Sequence, residues 1–339
     1  MNVNDLNAVA KAMVGNGKGI LAADESSGTI KKRFDTIDTE STEENRRRYR
    51  EMLFTAPGVA DYIGGVILYD ETIRQKTADG VPFPQYLNDL GMIAGIKVDK
   101  GAKPLALFPG ELITEGLDGL RERFKEYAAM GAKFSKWRAV INIGDGIPTD
   151  FCLDANAHAL ARYAALCQEA NIVPIVEPEV LMDGDHSIAR CEEVTARTLR
   201  KVFQALEAHR VALPGIVLKP NMVISAANAQ DRASPEAVAE ATLRVLKAEV
   251  PDEVPGIAFL SGGQSAEEAT EHLAIMNRMG PLPWELSFSY GRALQAPALD
   301  AWRGKEQQFK DGQQALLKRA KLNSLAHLGK YETAMETAA

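Results

Sequence analysis

The feature that most constrains this chain is an alternation of short apolar runs with longer stretches of helical periodicity. Eight runs are predicted as β-strands, at residues 19–23, 65–69, 93–98, 133–143, 173–177, 215–219, 256–260 and 286–289. Their starts lie between 28 and 46 residues apart, which leaves room for a crossover helix and two loops in each interval. Strands that alternate with helices form parallel sheets. Eight such units predict an α/β fold, the (β/α)8 TIM barrel.

Helical signals continue outside the eight units. The amphipathic segment 3–14 predicts an N-terminal helical extension, and the residues after 294 predict a C-terminal one. Ser41 and Glu44 have the spacing of a capping box at the start of a helix over 42–54, and Ser265 with the acids that follow it predicts another helix start. Because the chain contains no linker or low-complexity tract, we expect a single domain over 1–339, with a flexible tail over 331–339.

The overall charge argues against one class of partner. The chain has 39 basic and 46 acidic residues, a formal net charge of −7, whereas nucleic-acid binding requires a basic surface. No apolar run is long enough to predict a membrane span, and the first residues do not resemble a secretory signal. The spacing of Cys152, Cys167 and Cys191 fits neither a disulfide framework nor a zinc ribbon. We therefore expect a cytoplasmic protein without a nucleic-acid or membrane partner.

Ionisable side chains lie at the predicted carboxyl ends of the strands, where TIM barrels form their active sites. Asp24 follows the first strand, Lys136 lies in the fourth, Glu177 and Glu179 lie at the end of the fifth, and Lys219 ends the sixth. Isolated buried charges are costly, so these groups need partners. Salt bridges without a function are the alternative for any one of them. For the whole set, an active site is the better interpretation.

Lys219 is the most informative of these residues because it directly follows a buried apolar run. Burial and a neighbouring cation, for which Lys136 is the candidate, both favour a neutral amine, and a neutral amine can attack a carbonyl carbon to form a Schiff base. The alternative is a structural lysine that extends toward solvent. Glu177 and Glu179 point the same way on an extended strand and are candidates for general acid and base, with Asp24 as a third.

Two groups of residues predict anion sites on opposite sides of the barrel mouth. The loops after the seventh and eighth strands combine glycines, hydroxyls and an arginine at the place where TIM barrels often bind phosphate: Ser261, Gly262, Gly263, Ser289, Gly291 and Arg292. The second group comprises Lys97, Ser26, Thr29 and Arg33. For Arg47 and Arg48 we favour a solvated helix face paired with Glu43 and Glu44. Two anion sites around a lysine predict a substrate with a phosphate at each end.

The sequence lacks the usual patterns for metals and nucleotides. The five histidines are scattered along the chain, and only His186, after the fifth strand, is expected near the mouth. A catalytic metal normally needs about three converging ligands. The glycine-rich segment 15–19 precedes a strand, so it predicts a turn and not a dinucleotide-binding loop. We expect neither a metal nor a cofactor.

Seven motifs together resemble the class I fructose-1,6-bisphosphate aldolases, and the resemblance extends from about residue 4 to residue 331. The motifs are GILAADES at 19–26, GIKVDKG at 95–101, KWR at 136–138, VEPE at 176–179, LKPNM at 218–222, FLSGGQ at 259–264 and FSYGRAL at 288–294.

The resemblance implies a role for each matching residue. Lys219 would be the Schiff-base lysine and Glu177 the acid–base residue, and Asp24, Lys136 and Glu179 would complete the catalytic cluster. The phosphate of the dihydroxyacetone end would bind to Ser261, Gly262, Gly263, Ser289, Gly291 and Arg292. The other phosphate would lie near Ser26, Thr29, Arg33 and Lys97, with Arg46 and Arg138 in the same set. The resemblance further implies a metal-independent cytosolic homotetramer that acts on a small sugar phosphate in glycolysis and gluconeogenesis.

Two departures from the family pattern bear on the substrate. Thr29 stands where many members have serine, which keeps the hydroxyl. Animal and plant members usually end in a flexible tail with a terminal tyrosine that helps to protonate the enamine, whereas the tail here runs from Tyr331 to Ala339. The ranking of bisphosphate, monophosphate and seven-carbon substrates therefore stays open. The alternatives are another Schiff-base sugar-phosphate aldolase, transaldolase-like or acting on a seven-carbon sugar, and a non-catalytic scaffold.

Overall fold

The computed structural model describes residues 2–337 and confirms the predicted TIM barrel. Eight parallel strands close the barrel in their order along the chain. These are β1 (Gly19–Ala23), β2 (Ile63–Leu68), β3 (Ile93–Lys97), β6 (Phe134–Ile141), β7 (Val173–Val180), β8 (Val217–Leu218), β9 (Gly256–Phe259) and β10 (Glu285–Tyr290). Between β3 and β6, an antiparallel hairpin of β4 (Ala102–Pro104) and β5 (Leu112–Thr114) stands outside the barrel. The sequence pattern did not predict it because each of its strands has only three residues.

Helices surround the barrel. They are α1 (Val3–Val14), α2 (Ser27–Asp35), α3 (Glu43–Phe54), α4 (Asp70–Arg74), α5 (Phe83–Asp89), α6 (Leu120–Ala129), α7 (Asp150–Glu169), α8 (Ile188–Ala208), α9 (Pro235–Glu249), α10 (Ala266–Arg278), α11 (Arg292–Trp302) and α12 (Phe309–His327). Short 3-10 turns occur at Val59–Asp61, Leu213–Gly215, Glu306–Gln308 and Thr333–Glu336. Among the described residues, no helix is long and apolar enough to cross a membrane.

Side-chain caps define where two helices begin, and one of them differs from the prediction. Ser265 and Glu268 form a reciprocal capping box at α10, with bonds of 3.0 and 2.9 Å. At α3 the cap is Thr42, whose hydroxyl accepts from the Asn45 N–H at 3.1 Å, so the capping box predicted at Ser41 is wrong. The helix starts one residue later than that pattern required, and this offset places the threonine hydroxyl opposite the free N–H groups of the first turn.

Two strands that carry candidate site residues also differ from their predicted lengths. β7 continues through Pro178 to Val180 and pairs with β6 over eight residues, so Glu177 and Glu179 both lie inside the strand. β8 has only two residues because Pro220, with no N–H group, cannot extend the ladder. Lys219 N still donates to the Val176 carbonyl at 2.8 Å, so the lysine stays attached to β7.

The helix α1 closes the amino-terminal end of the barrel, which we call the floor. Its buried residues pack against apolar side chains that point into the barrel from β1, β2, β6, β7, β8 and β9; the full set is Leu6, Ala10, Met13, Val14, Ile20, Ala22, Ile67, Phe134, Val173, Ile175, Val217 and Ala258. Gly64 permits this closeness, because a Cβ there would lie 2.7 Å from the carbonyl oxygens of Ala12 and Met13. The floor is therefore apolar and tightly packed.

The segment after α12 is packed where the sequence predicted a flexible tail. The Tyr331 side chain is buried, and its hydroxyl donates to Glu336 at 2.9 Å. The same carboxylate pairs with the buried Arg319 guanidinium at 2.5 Å. These contacts pack the chain against the barrel as far as Thr337. The last two residues of the predicted tail lie outside the described residues. Composition alone did not reveal that Arg319 supplies a buried partner for the tail carboxylate.

Candidate active site

A cavity of about 630 Å³ opens at the carboxyl ends of the barrel strands, the end that we call the mouth. Fifteen of the seventeen residues predicted for the site line it, and only Gly263 and Arg46 do not. The strand ends therefore converge as the fold predicts. His186, the histidine expected near the mouth, is not among the lining residues.

The centre of the cavity contains two lysines and two carboxylates. Lys219 Nζ lies 3.1 Å from Glu177 Oε1. Lys136 Nζ lies 2.8 Å from Asp24 Oδ2 and 3.5 Å from Glu177 Oε2. All four side chains are almost completely buried. The arrangement is a chain of alternating charges in which Glu177 connects the two lysines.

For these groups, the attraction between opposite charges outweighs the free-energy cost of burying each charge. Burial by itself would raise the pKa of Asp24, but Lys136, Lys219 and Lys97 lower it well below its usual range. Burial likewise opposes ionisation of Glu177, and Lys219, Lys136 and Arg138 outweigh it, so the pKa of that carboxyl is also lowered. For Lys136, burial favours the neutral form, yet Asp24, Glu177 and Asp99 hold its pKa above the ordinary value. Asp24, Glu177 and Lys136 are therefore ionised in the empty site at neutral pH.

Glu177 and Glu179 do not share one cluster, contrary to the expectation from their spacing. Glu177 lies between the two lysines, whereas Glu179 forms an ion pair with Arg138 Nε. The two carboxylates thus have different surroundings, although both line the cavity. The split arises because Arg138 lies on β6, two residues beyond Lys136, and pairs with the carboxylate that lies two residues farther along β7.

Asp99 is a buried acid of the site that the sequence analysis missed as a candidate. Its carboxylate lies 3.8 Å from both Lys97 Nζ and Lys136 Nζ, and it accepts from the Gly101 N–H at 3.2 Å. It therefore connects the central cluster with the second anion group. Asp99 follows the end of β3, so a search that extended two residues past every strand end would have found it.

The loops after β9 and β10 form the first predicted anion site. Within the described residues, the backbone N–H groups of Gly262 and Gly263 have no hydrogen-bond acceptor. Arg292 donates to the Gly262 carbonyl at 2.7 Å, and the buried Ser289 hydroxyl has no hydrogen-bond partner among residues 2–337. Gly263 itself is exposed and does not line the cavity, and a Cβ there would meet Met182 Sδ at 2.4 Å. Free N–H groups, a free hydroxyl and a guanidinium are suitable ligands for a phosphate.

The second predicted anion group is only partly assembled at the cavity. The hydroxyls of Ser26 and Thr29 lie 3.1 Å apart, and Lys97 lines the same cavity. Arg33 pairs with Glu25, and its guanidinium lies 3.8 Å from the position of a Cβ on Gly291. Arg33 is therefore close to the loop after β10, the site assigned to the other phosphate.

The structure corrects the assignment of Arg46 to the second anion group. Its guanidinium makes two bonds to the Glu71 carboxylate, at 2.7 and 2.6 Å, and it lies outside the cavity. A bidentate pair of this kind uses the donors that a phosphate would need. Arg47 pairs with Glu44 at 2.7 Å, as the helix-face interpretation predicts, and Arg48 pairs with Glu306.

A buried network behind Arg33 was also missed. Arg50 NH2 lies 2.7 Å from Glu25 Oε2, and Gln295 Nε2 donates to Glu25 Oε1 at 3.0 Å. The Tyr49 hydroxyl donates in turn to Gln295 Oε1 at 3.1 Å. Tyr49 and Arg50 lie on α3 and Gln295 lies on α11, and no sequence signal marks these helical positions as neighbours of the mouth.

The described residues contain no group of three or more histidine, cysteine or acidic side chains arranged to hold a metal ion. The arrangement offers instead a lysine amine beside a carboxylate, a second lysine held as a cation, and a loop with donors suited to an anion. These groups can support attack on a carbonyl carbon and proton transfer around it.

Comparison with known proteins agrees with this chemistry. Residues 5–339 match the family model described as glycolytic fructose-bisphosphate aldolase class-I. A probable fructose-bisphosphate aldolase class 1 of Xanthomonas campestris pv. campestris is 59% identical over 333 residues, covering 98% of this chain and 100% of that protein. The cytoplasmic isozyme of fructose-bisphosphate aldolase from Spinacia oleracea is 52% identical, over 97% of this chain and 92% of that protein.

A solved structure extends the comparison to the fold. Fructose-bisphosphate aldolase from Plasmodium falciparum, in a co-crystal structure with TRAP and a small-molecule inhibitor, superposes with a TM-score of 0.96. It is 49% identical, over 97% of this chain and 96% of that one. Because the family model and the relatives span nearly the whole chain, and the fold agrees, the chain belongs to the class I fructose-bisphosphate aldolase family.

Proposed function

We propose that this protein cleaves fructose 1,6-bisphosphate reversibly into dihydroxyacetone phosphate and glyceraldehyde 3-phosphate, through a Schiff base on Lys219. The observation that carries the proposal is the position of Lys219 Nζ, buried and 3.1 Å from Glu177 Oε1 in the central cluster. An amine in that position needs a neighbouring group to move its protons, and Glu177 is within reach.

In the first half of the reaction, Glu177 accepts a proton from Lys219, and the free amine attacks the C2 carbonyl of the open-chain sugar. Glu177 then returns a proton to the C2 hydroxyl, which leaves as water from the carbinolamine. The product is a protonated imine, whose positive charge can accept the electron pair of a neighbouring C–C bond. The 3.1 Å separation of the two groups supports these transfers.

In the second half, Asp24 removes the proton of the C4 hydroxyl, the C3–C4 bond breaks, and glyceraldehyde 3-phosphate leaves. The proton now held by Asp24 balances the protonation of the enamine at C3. Water then hydrolyses the resulting imine, which releases dihydroxyacetone phosphate and frees the Lys219 amine. Lys136, 2.8 Å from Asp24, stabilises the negative charge that develops at the C4 oxygen. Glu179 lines the same cavity but stands outside the central cluster, paired with Arg138.

We assign the two phosphates of the substrate to residues on opposite sides of the mouth. For the dihydroxyacetone end, we assign Ser261, Gly262, Gly263, Ser289, Gly291 and Arg292. For the other end, we assign Ser26, Thr29 and Lys97, with Arg138 at its edge; Arg33 lies closer to the first group. Arg46 is not assigned, because Glu71 occupies its guanidinium.

Several finer properties belong to the same proposal. The chain acts as a single domain without a metal or cofactor, since the reaction needs only the amine, carboxylates and phosphate ligands described above. The family relatives include a cytoplasmic isozyme, which supports a cytoplasmic location. A homotetramer in glycolysis and gluconeogenesis completes the proposed assignment.

Reductive trapping tests the proposal directly. Borohydride added together with dihydroxyacetone phosphate should attach the substrate carbon skeleton to the peptide that contains Lys219, and a coupled assay should detect cleavage of fructose 1,6-bisphosphate with EDTA present. An adduct found only on another lysine would contradict the assignment of Lys219. Loss of cleavage in EDTA would instead indicate a metal-dependent reaction.

A further inference from the structure

One buried histidine outside the proposed machinery is connected to the phosphate-binding loop. This loop, residues 261–265, joins β9 to α10. His272 lies on α10, two turns beyond Ser265, and is only 6% exposed. Its Nδ1 lies 2.6 Å from Gln264 Oε1, and Gln264 Nε2 lies 3.0 Å from the Ser261 carbonyl oxygen. The histidine is thus two hydrogen bonds away from the backbone of the loop.

The chemistry of these three groups determines the direction of both bonds. A carbonyl oxygen only accepts, so the amide nitrogen of Gln264 must face Ser261. The amide oxygen consequently faces His272, whose Nδ1 must carry a proton and donate it. Burial lowers the pKa of His272 to about 4, so the ring is neutral at neutral pH, with its proton on Nδ1.

The two bonds act on the part of the loop that meets the cavity. The Ser261 carbonyl accepts from the side chain of Gln264 and also from its backbone N–H, at 3.1 Å. With this carbonyl held, the chain turns at Gly262, whose φ is +56°, and leaves the N–H groups of Gly262 and Gly263 without an acceptor among the described residues. These two N–H groups stay free beside Arg292 only while the loop keeps this conformation. The loop must therefore hold the conformation before a phosphate binds.

We propose that His272 is a positioning residue for the phosphate site: through Gln264 it holds the Ser261 carbonyl and so preorganises the loop for phosphate. The inference rests on the proposed function to the extent that the ligand contains a phosphate group. His272 does not touch substrate, so its loss weakens binding without altering the steps at Lys219. Preorganisation lowers the cost of ordering the loop when the ligand binds.

A pair of nearly isosteric substitutions separates the hydrogen bond from packing. His272→Asn keeps an N–H donor close to the position of Nδ1, whereas His272→Leu fills a similar volume without a donor. The probes are the KM for fructose 1,6-bisphosphate and the Kd for inorganic phosphate, measured by calorimetry. We expect the leucine variant to raise both about threefold to tenfold, the effect of one lost hydrogen bond, with kcat within twofold. The asparagine variant should remain within twofold of the parent.

A double-mutant cycle tests whether His272 acts through Gln264. Gln264→Met removes both side-chain bonds of the amide. If the histidine acts only through it, the double variant with His272→Leu should bind phosphate no more weakly than Gln264→Met alone. Independent, additive losses would overturn the proposed connection. Should His272→Leu fail to fold, His272→Asp, which offers acceptors in place of the donor, replaces it in both comparisons.

Other outcomes are equally decisive. An unchanged phosphate Kd in the leucine variant overturns the proposal, and so does an asparagine variant that binds as weakly as the leucine one. A fall in kcat at unchanged KM would also contradict a role in phosphate binding. If the parent protein does not cleave fructose 1,6-bisphosphate, the proposed function fails, yet the response of the inorganic phosphate Kd still decides the role of His272.

Discussion

The two ends of the barrel are built from opposite kinds of side chain. At the floor, α1 packs Leu6, Met13 and Val14 against apolar residues from six barrel strands. At the mouth, Lys136 and Lys219 are buried among carboxylates, with ion-pair distances from 2.8 to 3.8 Å. Apolar burial stabilises the fold, whereas buried charges are tolerated only while they are paired. Stability and chemistry are therefore separated along the barrel axis.

The largest effect should come from the mouth. Lys219→Met is expected to lower kcat by more than about 10⁴-fold, as is typical of losing a catalytic nucleophile, because Lys136, the other lysine of the central cluster, is held as a cation. Steady-state assays with fructose 1,6-bisphosphate measure this loss. Lys133→Met, at the exposed amino-terminal end of β6, is the matched control and should keep the parent kcat. Comparable activity in both variants would remove the chemical distinction between the two ends.

A substitution in the apolar cluster of the floor tests the other half of the comparison, a loss of stability without a loss of catalysis. Met13→Ala should lower the free energy of unfolding by about 2–5 kcal/mol, because it leaves a cavity in a fully buried apolar cluster. The kcat of the folded variant should remain within twofold of the parent. Urea denaturation and activity assays measure the two quantities, and Met279→Ala, at an exposed methionine, is the control. A large loss of kcat without a loss of stability would break the comparison.

Arg292→Ala tests a residue of the mouth that is not part of its buried cluster. Losing a charge-assisted phosphate contact should cost roughly 1.5–3 kcal/mol of binding, which raises the KM for fructose 1,6-bisphosphate roughly tenfold to 150-fold. The free energy of unfolding should hardly change, because this arginine is exposed at the first position of α11, beside the cavity. The exposed Arg121, changed to alanine, is the control. An unaltered KM for the Arg292 variant would argue against a phosphate role.

Acid should destabilise the fold through a titratable group buried behind the mouth, whereas the apolar cluster of the floor contributes none. The pKa of His272 is lowered by burial to about 4 from a reference value of 6.5, so the unfolded chain binds the extra proton first. The stability that depends on neutral His272 is complete above about pH 6.5 and is lost as the pH falls toward 4. Between pH 7 and pH 5, this residue alone should lower the free energy of unfolding by about 2 kcal/mol.

Urea denaturation at the two pH values measures this difference. His272→Asn should lack the corresponding part of the pH dependence, since asparagine does not titrate. An identical pH dependence in the parent and the variant would show that His272 is not responsible.

The smallest effect is expected from the tail, which belongs to neither end of the comparison. Deletion of residues 331–339 should change kcat on fructose 1,6-bisphosphate by less than about threefold, far below the loss of a true general acid. The Tyr331 hydroxyl is bonded to Glu336 and does not line the cavity, which supports this expectation. The assay is made well below the melting temperature of the variant, because Arg319 loses its carboxylate. A hundredfold loss confined to the bisphosphate would give the tail a catalytic role.

Most of the site could be predicted because it lies in the strands or follows their carboxyl ends. Asp24, Lys136, Glu177 and Lys219 interrupt or end apolar runs, and the topology of the barrel brings all such positions to one end. The residues that were missed, Asp99 apart, are polar side chains on helices. Gln295 and His272 look like ordinary helical positions in the sequence, since nothing in their neighbours along the chain shows what they face.

The sequence by itself determined the alternation of strands and helices, the barrel that follows from it, and the charges gathered at its mouth. Only the tertiary structure decided the pairing: Glu177 with both lysines, Glu179 with Arg138, Arg46 with Glu71, and Glu336 with Arg319. Periodicity is a local property that a few neighbouring residues express. An ion pair depends on two side chains, often far apart in the chain, meeting within about 4 Å, and that distance is set by the packing of whole elements.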